Sequence, residues 1–312
     1  MKISLRTRKG FTLLELLTAV AITTVIIAAL IGMTRMSMDA WKESSDRARA
    51  SRLAKESLEV MAKDFEGMVL RTGNDYQWLY TKMDANVELG PSSAEIENPL
   101  DMAFFTAATD RYDGDLGPNS TKDEGGDIST VFYRLIYKDQ FDGDFKVYSL
   151  YRHLVNPDET FENHLALKDG DDDDDAEGLE NSAPTESVVT NAENFLAENV
   201  YNITVTYVFE VLNTTTSQLE TVRVPVMSDQ GGFNEISITG SEVTVSPNEI
   251  KDSNGNTVTN VSRLVSVELG VLVLSDSAMN TLKHQSFTSD KFNEFVKSNS
   301  HYFTKSVILP RP

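Results

Sequence analysis

Residues 1–33, MKISLRTRKGFTLLELLTAVAITTVIIAALIGM, decide how the rest of the chain is organised. Residues 11–33 hold one charged side chain, Glu15, in a stretch otherwise rich in Leu, Ile, Val and Ala. About twenty such residues cross a bilayer as a helix. Four cations and no acid precede Gly10. The positive-inside rule keeps this basic leader in the cytoplasm and places the chain after Met33 across the membrane.

Glu15 is the first functional clue in this segment. An ionisable side chain inside a membrane span costs about 2.5–3.5 kcal/mol on insertion scales, so we expect a partner for its carboxylate. A plain signal anchor is the alternative interpretation, and it gives Glu15 no role. The apolar run is too long for the hydrophobic part of an ordinary secretory signal, and no convincing small-x-small cleavage site follows it.

Residues 8–15, R-K-G-F-T-L-L-E, resemble the N-terminal motif of the type IV pilin and pseudopilin family. In that family a prepilin peptidase cuts after the glycine and methylates the new N-terminal amine. The resemblance implies a leader peptide of residues 1–10, cleavage between Gly10 and Phe11, and an N-methylated Phe11. It also implies that the Glu15 carboxylate pairs with the Phe11 amine of an adjacent subunit. Two costly charges then become one pair, which fixes the axial stagger between subunits.

Residues 34–72 are predicted to form an amphipathic stem that continues the membrane segment. Apolar residues recur at helical spacing, and charges such as Lys55 and Glu59 lie four residues apart. The pattern predicts one helix over residues 12–70, and two helices broken at Gly32 are the alternative. The stripe expected to pack on a globular domain comprises Met38, Trp41, Ala48, Leu58, Met61, Phe65 and Met68 or Val69.

Residues 73–312 are dominated by strand patterns. The clearest is VYNITVTYVFEV at 200–211, in which apolar and polar side chains alternate. Further strands are predicted near Phe104, Val224 and Ile238, at 130–137, 145–154 and 263–274, and at the C-terminus, with short helices at 278–284 and 290–296 after the N-cap Ser289. Successive strands without long helices between them predict an α+β fold, with the long N-terminal helix packed on an antiparallel β-sheet domain.

A narrower resemblance concerns the stem and these strands. Residues 52–65, R-L-A-K-E-S-L-E-V-M-A-K-D-F, resemble the segment after the membrane helix in the J-type minor pseudopilin of type II secretion. The order of the later strands is similar to that family, although inserts at 110–128, 168–190 and 213–260 exceed its pattern. The K-type tip subunit of that family lacks the glutamate, so Glu15 favours a place below the top of the pseudopilus.

The resemblance implies a structural subunit of a pseudopilus tip that supports protein export. It implies a single-pass protein of the bacterial inner membrane whose globular part, residues 73–312, lies in the periplasm. The implied partners are the prepilin peptidase, other minor and major pseudopilins, the inner membrane itself and secreted cargo. A minor pilin of a type IV pilus, serving adhesion or DNA uptake, is the alternative.

The charge balance limits the partners further. The chain has 28 Lys and Arg against 48 Asp and Glu, a net charge of −20, and without the leader's four cations the count is 24 against 48, or −24. Such a surface repels nucleic-acid phosphates, so no nucleic-acid partner is expected. Divalent cations or a basic patch on a protein are the natural counterparts. The chain has no cysteine, which excludes disulfides and thiolate sites.

Acidic loops raise the question of calcium. The tract KDGDDDDDAEGLENSAP at 168–184 is typical of a solvated acidic loop. The segment at 110–127 has a better mix of Asp, Gly and Asn for a turn with inward oxygens, and Asp110, Asp113 and Asp115 are its candidate calcium ligands. None of these acidic segments matches the EF-hand loop.

Motifs of catalysis are lacking in the sequence. The four histidines are scattered without the HExxH spacing, and we find no G-x-S-x-G elbow, phosphate-binding loop or dinucleotide fingerprint. We therefore expect no enzymatic activity and no required cofactor. A membrane-tethered enzyme that uses the N-terminal segment as an anchor is the remaining alternative from another functional class.

Overall fold

The computed structural model describes residues 11–70, 76–83, 100–108, 127–139, 146–165, 178–180, 182–213, 215–227, 233–258, 261–285 and 287–309. The chain divides into two compact units, Met1–Ala48 and Arg49–Pro312.

The helices are α1 (Leu13–Glu66), α2 (Pro157–Thr160), α3 (Glu186–Val189), α4 (Asp276–His284) and α5 (Ser289–Asn299), with a π-helical turn at Phe161–Leu165 and a 3₁₀ turn at Ala192–Asn194. The strands are β1 (Gln77–Met83), β2 (Leu100–Thr106), β3 (Ser129–Asp139), β4 (Lys146–Val155), β5 (Phe195–Glu198), β6 (Val200–Leu212), β7 (Leu219–Val226), β8 (Glu235–Thr239), β9 (Glu242–Ser246), β10 (Arg263–Leu274) and β11 (Ser300–Ile308).

Helix α1 is continuous through Gly32, so the alternative of two helices is wrong. It ends at Glu66, four residues before the predicted end at residue 70. The backbone there leaves the helix to pair with β2, since Met68 forms a bridge with Thr106 and the Val69 N–H donates to the Phe105 carbonyl at 2.9 Å. These bonds use backbone groups that a further helical turn would need.

The first unit contains, within its described residues 11–48, a single element, the N-terminal part of α1. Its side chains are exposed from Phe11 through Ser45. Met38, Trp41 and Ala48 of the predicted stripe belong to this unit and are exposed, so their packing on the globular domain stays a prediction. Trp41 keeps 71% of its surface accessible.

The second unit contains two antiparallel sheets. The larger has seven strands in the order β5-β4-β3-β2-β1-β8-β9, and the smaller has four in the order β11-β10-β6-β7. The antiparallel pairing and the α+β class are confirmed, and the strands divide between two sheets. Alternation of apolar and polar residues defines two faces of a strand, but it does not say which strand lies beside it.

The two sheets touch through buried side chains. The hydroxyls of Thr81 on β1 and Tyr207 on β6 lie 2.6 Å apart, and the Tyr207 hydroxyl also reaches the Met102 sulfur at 3.5 Å. Thr81 and Met102 are register partners on adjacent strands, so they lie on the same face of the seven-stranded sheet. We call this the inner face.

The C-terminal part of α1 packs against the same inner face. Leu58, Met61 and Phe65 are buried, as the stripe predicted. The rings of Phe65 and Phe104 stack with centroids 4.2 Å apart. Phe104 belongs to β2, so the helix and the sheet share one core. Each fully buried side chain of this size contributes about 1.5–3 kcal/mol to folding.

Two polar links join α1 to other parts of the second unit. Arg49 pairs with Glu198 at the end of β5 and, at 2.7 Å, with Asp276 in the first turn of α4. Further along the same helix, Glu59 pairs with Lys305 of β11 at 2.7 Å. The helix therefore contacts the edge strand of the smaller sheet as well as the larger sheet.

Candidate functional site: the N-terminal motif and the anchor of its helix

The first turn of α1 is closed by a capping box between Thr12 and Glu15. Thr12 donates its backbone N–H to Glu15 Oε2 at 3.0 Å and its hydroxyl to the same oxygen at 3.1 Å. Glu15 donates its backbone N–H to Thr12 Oγ1 at 3.2 Å. The Thr12 carbonyl accepts the first helical bond, from the Leu16 N–H. This reciprocal pattern satisfies two backbone donors that a helix start leaves without partners.

The capping box gives Glu15 a role within its own helix. Both hydrogen bonds from Thr12 to the carboxylate end on Oε2. Phe11 precedes the cap and is 89% exposed. Gly10, on the other side of the predicted cleavage position, lies outside the described residues. The cleavage site and the pairing of Glu15 with the Phe11 amine of a neighbour therefore stay predictions.

Beyond the cap, α1 presents apolar side chains on all sides. Among the described residues it is the one helix long and apolar enough to cross a membrane, judged by length and composition. No residue of its most apolar 18-residue segment is buried within the protein. An apolar helix with nothing of its own chain around it needs lipid or other helices as its surroundings.

The other end of α1 carries a buried charged side chain, Asp64. Only 2% of this residue is accessible. Its carboxylate accepts hydrogen bonds from Arg152 Nε at 2.6 Å and Arg152 Nη2 at 2.8 Å, and a third from the Tyr133 hydroxyl. The backbone carbonyl of Asp64 accepts a bond from the Thr106 hydroxyl at 2.9 Å. We call Asp64, Tyr133 and Arg152 the helix anchor.

Electrostatics keep Tyr133 and Arg152 of the helix anchor each in one protonation state. Burial, followed by the charge of Asp64, raises the pKa of the Tyr133 phenol well above its ordinary value. Burial alone would lower the pKa of the Arg152 guanidinium, but its bonds to Asp64 outweigh this and raise the pKa. Tyr133 is therefore a neutral donor and Arg152 a cation at any ordinary pH. A bidentate guanidinium–carboxylate pair is the strong and directional form of such contacts.

The predicted calcium ligands Asp110, Asp113 and Asp115 lie outside the described residues. Within the described part of the chain, no group of three or more His, Asp or Glu side chains could hold a metal ion. Of the predicted site residues, the structure thus describes Phe11 and Glu15.

The sequence prediction missed two groups that the structure brings together. The partner of Glu15 within the chain, Thr12, follows a recognisable pattern, since T-x-x-E before an apolar run is a capping-box signature. Asp64 also left a signal, because it is an acid three residues after Met61 on the buried stripe of the stem. Its partner Arg152 lies 88 positions away in the sequence, and no local sequence pattern at either residue indicates the pair.

Comparison with protein-family models gives one match, which coincides with this N-terminal site. Residues 5–31 match the prokaryotic N-terminal methylation motif. The match covers residues 5–10 of the basic leader, the capped first turn and most of the apolar segment. It supports the type IV pilin and pseudopilin family.

The motif implies processing by a prepilin peptidase and assembly with other pilin subunits. Together with the apolar N-terminal helix, it fits a single-pass protein of the inner membrane. Comparison with curated proteins and with solved structures gives no match.

Proposed function

We propose that this chain is a minor pseudopilin of the J type, a structural subunit near the tip of a type II secretion pseudopilus that supports protein export. The observation that carries the proposal is the methylation motif at residues 5–31, set on an exposed apolar helix with a capped first turn. Members of this motif class are structural subunits. The role requires assembly surfaces and needs no catalytic residue.

The J-type assignment is supported by the stem and by the order of the strands. Residues 52–65 resemble the corresponding segment of that family, and they lie in the part of α1 that packs on the inner face. The strands β2, β3, β4, β6 and β10 follow the helix in the order that the resemblance expects. The described residues of the second unit thus agree with a pilin-like domain that follows a long helix.

The proposed topology follows from the charges around the apolar helix. The basic leader of residues 1–10 stays in the cytoplasm, residues 11–33 cross the inner membrane, and the β-rich domain lies in the periplasm. The stem, residues 34–72, joins the membrane segment to this domain. After cleavage, the apolar helix moves from lipid into the filament core, where neighbouring helices replace the lipid around it.

Assembly depends on the two ends of one short segment. The peptidase cleaves between Gly10 and Phe11 and methylates the Phe11 amine. Glu15, whose side chain lies at the start of the helix, then meets the Phe11 amine of the next subunit. The pairing removes two unpaired charges from an apolar environment. Other minor and major pseudopilins are the partners in this contact, secreted cargo is the partner of the periplasmic domain, and nucleic acid has no part.

No cofactor is required for this role. We propose that Asp110, Asp113 and Asp115 bind calcium as an accessory ion. Calorimetric titration of the full-length protein in detergent with calcium tests this. Binding that disappears when the three aspartates become asparagine supports the site. Binding unchanged in that variant removes these residues from the proposal.

The deciding experiment compares secreted proteins and surface fibres in four strains. They are the wild type, a deletion, and deletions complemented with Glu15→Ala or with Glu43→Ala, whose exposed position on α1 makes it a matched control. We expect the deletion and Glu15→Ala to lose a set of secreted proteins with fibres intact, and Glu43→Ala to restore secretion.

Loss of fibres with an unchanged set of secreted proteins would contradict the secretion role and support the type IV minor pilin instead. Normal secretion and normal incorporation of the Glu15→Ala protein would overturn the assembly contact. Each strain also needs an immunoblot of its membranes, because a variant that fails to insert says nothing about assembly.

A further inference from the structure

A cavity of about 410 Å³ lies on the face of the seven-stranded sheet opposite to the inner face. Its floor is formed by β1, β2 and β3. Its wall is formed by the described residues 179–180 and 182–186, which we call the strap. The lining combines apolar side chains with charged ones, among them Tyr80, Lys82, Asp101, Phe132, Arg134 and Glu180. Pockets of 300–1,000 Å³ with this mixture are typical of ligand sites.

The strap is held in place by contacts with the rest of the second unit. Leu179 is almost fully buried, and the Glu180 N–H donates to the Gln77 side-chain oxygen at 3.2 Å. Ser182 forms a hydrogen bond with His164 Nδ1 at 2.7 Å. The wall of the cavity is therefore built before any ligand arrives, which lowers the entropic cost of binding.

The cations of the cavity already have partners. Lys82, Asp101 and Arg134 face one another across three adjacent strands. Arg134 Nη2 donates to Asp101 Oδ2 at 2.6 Å, and Lys82 Nζ lies 3.8 Å from Glu180 and 4.0 Å from Glu235. Glu186 is a third carboxylate in the lining. Acids outnumber bases around the cavity, so the excess charge is negative.

The ionisation of two lining residues agrees with this excess. Burial raises the pKa of the Asp101 carboxyl, and the effect outweighs the nearby cations Arg134 and Lys82. Burial also raises the pKa of the Tyr80 phenol, and the further contributions from Glu180, Glu235 and Asp101 all act in the same direction. Burial therefore disfavours the charged forms of both groups, and the neighbouring carboxylates add to this effect at the Tyr80 phenol.

We propose that this cavity accepts one lysine or arginine side chain presented by a partner protein. The ammonium or guanidinium group lies between Glu180 and Asp101, where it meets carboxylate oxygens, and the aliphatic part of the side chain lies over Phe132 and Ile136. Carboxylates bind such groups by charge-assisted hydrogen bonds, and aromatic faces add cation–π attraction.

A protein is the expected source of the cation for two reasons. The apolar floor matches the methylene stem of a long basic side chain, and a bare metal ion would leave that floor unused. The net charge of −20 attracts basic surfaces, so a basic partner is drawn to this domain before the specific contact forms. The inference does not depend on the proposed secretion role.

Calorimetry on the full-length protein in a non-ionic detergent tests the proposal. The probes are the capped tripeptides Gly-Lys-Gly and Gly-Arg-Gly, the same peptide with norleucine in place of lysine, and spermidine. We expect the basic peptides to bind with an affinity that falls as salt rises. The norleucine peptide, which lacks the charge, should bind at least about tenfold more weakly.

Two variants locate the binding site. Glu180→Gln removes a carboxylate from the strap and should weaken the lysine peptide about tenfold. Glu242→Gln, at an exposed position on β9, is the matched control and should leave binding unchanged. Glu180 is 45% exposed, so its substitution should leave the melting temperature near that of the wild type.

Three results of the peptide titrations would overturn the proposal. They are no binding of either basic peptide at millimolar concentration, equal binding of the norleucine peptide, or binding that Glu180→Gln leaves unchanged while the fold is intact. Tighter binding of spermidine than of both peptides would also overturn it, because the occupant would then be a small polyamine.

Discussion

The guanidinium of Arg152 on β4 donates two hydrogen bonds to the carboxylate of Asp64 on α1, at 2.6 and 2.8 Å. The pair lies near the C-terminal end of α1, and Tyr133 on β3 is its third partner. A buried ion pair owes its stability to the presence of both partners. Removal of one leaves a charge in the core without compensation.

The first prediction concerns the stability of this anchor. Asp64→Ala should lower the free energy of unfolding by about 3–5 kcal/mol, because Arg152 then stays buried and unpaired. The double variant with Arg152→Ala should lose less than the sum of the two single variants. Urea unfolding of the four proteins measures the coupling.

The exposed pair of Glu59 and Lys305 provides the control for this cycle. Glu59 has 72% of its side chain accessible, so Glu59→Ala should cost at most about 1 kcal/mol. A loss at Asp64 no larger than the loss at Glu59 would show that the anchor contributes little.

The second prediction concerns the capping box. Thr12→Val removes the hydroxyl that accepts the Glu15 N–H, whereas Thr12→Ser keeps it. The lost cap should destabilise the first turn by about 1 kcal/mol. In micelles, the hydrogen exchange of the Glu15 amide should therefore be about fivefold faster. Equal exchange in the valine and serine variants would argue that the cap has no energetic role.

The third prediction concerns processing. Gly10→Ala should leave an unprocessed precursor, whose mass exceeds that of the mature protein by the leader, because a side chain at the cleavage position obstructs the peptidase. Gly32→Ala is the matched control, since an added Cβ there meets no atom within 4 Å. Mass spectrometry of the membrane fraction distinguishes the two forms. Normal cleavage of Gly10→Ala would remove the processing assignment.

The fourth prediction concerns acid stability and His164. Burial, with a smaller effect of nearby His153, lowers the pKa of His164 to about 4 from its ordinary 6.5. Between these values the unfolded chain binds a proton that the folded chain does not. Stability should therefore fall as pH decreases from 6.5 towards 4, by up to about 1.4 kcal/mol per pH unit from this group.

A comparison of wild type with His164→Gln isolates this contribution. The variant cannot titrate there and should show a shallower loss of stability between pH 6.5 and 4.5 in urea unfolding. His284→Gln, at an exposed position, should follow the wild type. Parallel curves for all three proteins would exclude His164 as the source of the acid sensitivity.

Strong periodic patterns made much of the fold predictable from the sequence. Strand β10 was predicted at 263–274 and occupies Arg263–Leu274. Strand β1 was missed, because QWLYTKM is buried on both faces and lacks the alternation that marks a half-exposed strand. The stem stripe was right at Met61, which is buried, whereas Trp41 in the first unit is exposed.

The candidate site was likewise only partly predictable from the sequence. The N-terminal motif was visible because its parts occur at fixed spacing, and the family match confirms it. Thr12 followed a local pattern and could have been predicted with it. Arg152 and the cavity around Asp101 depend on strands that are distant in sequence, so only the folded chain brings their residues together.

The three links of α1 have a mechanical consequence. Arg49, Glu59 and Asp64 stand at successive levels of one helix and bind different parts of the second unit. A force applied along the helix axis loads all three in shear, so they resist together rather than breaking one after another. In the proposed assembly, such an arrangement suits a subunit whose helix is pulled by neighbouring pilin subunits.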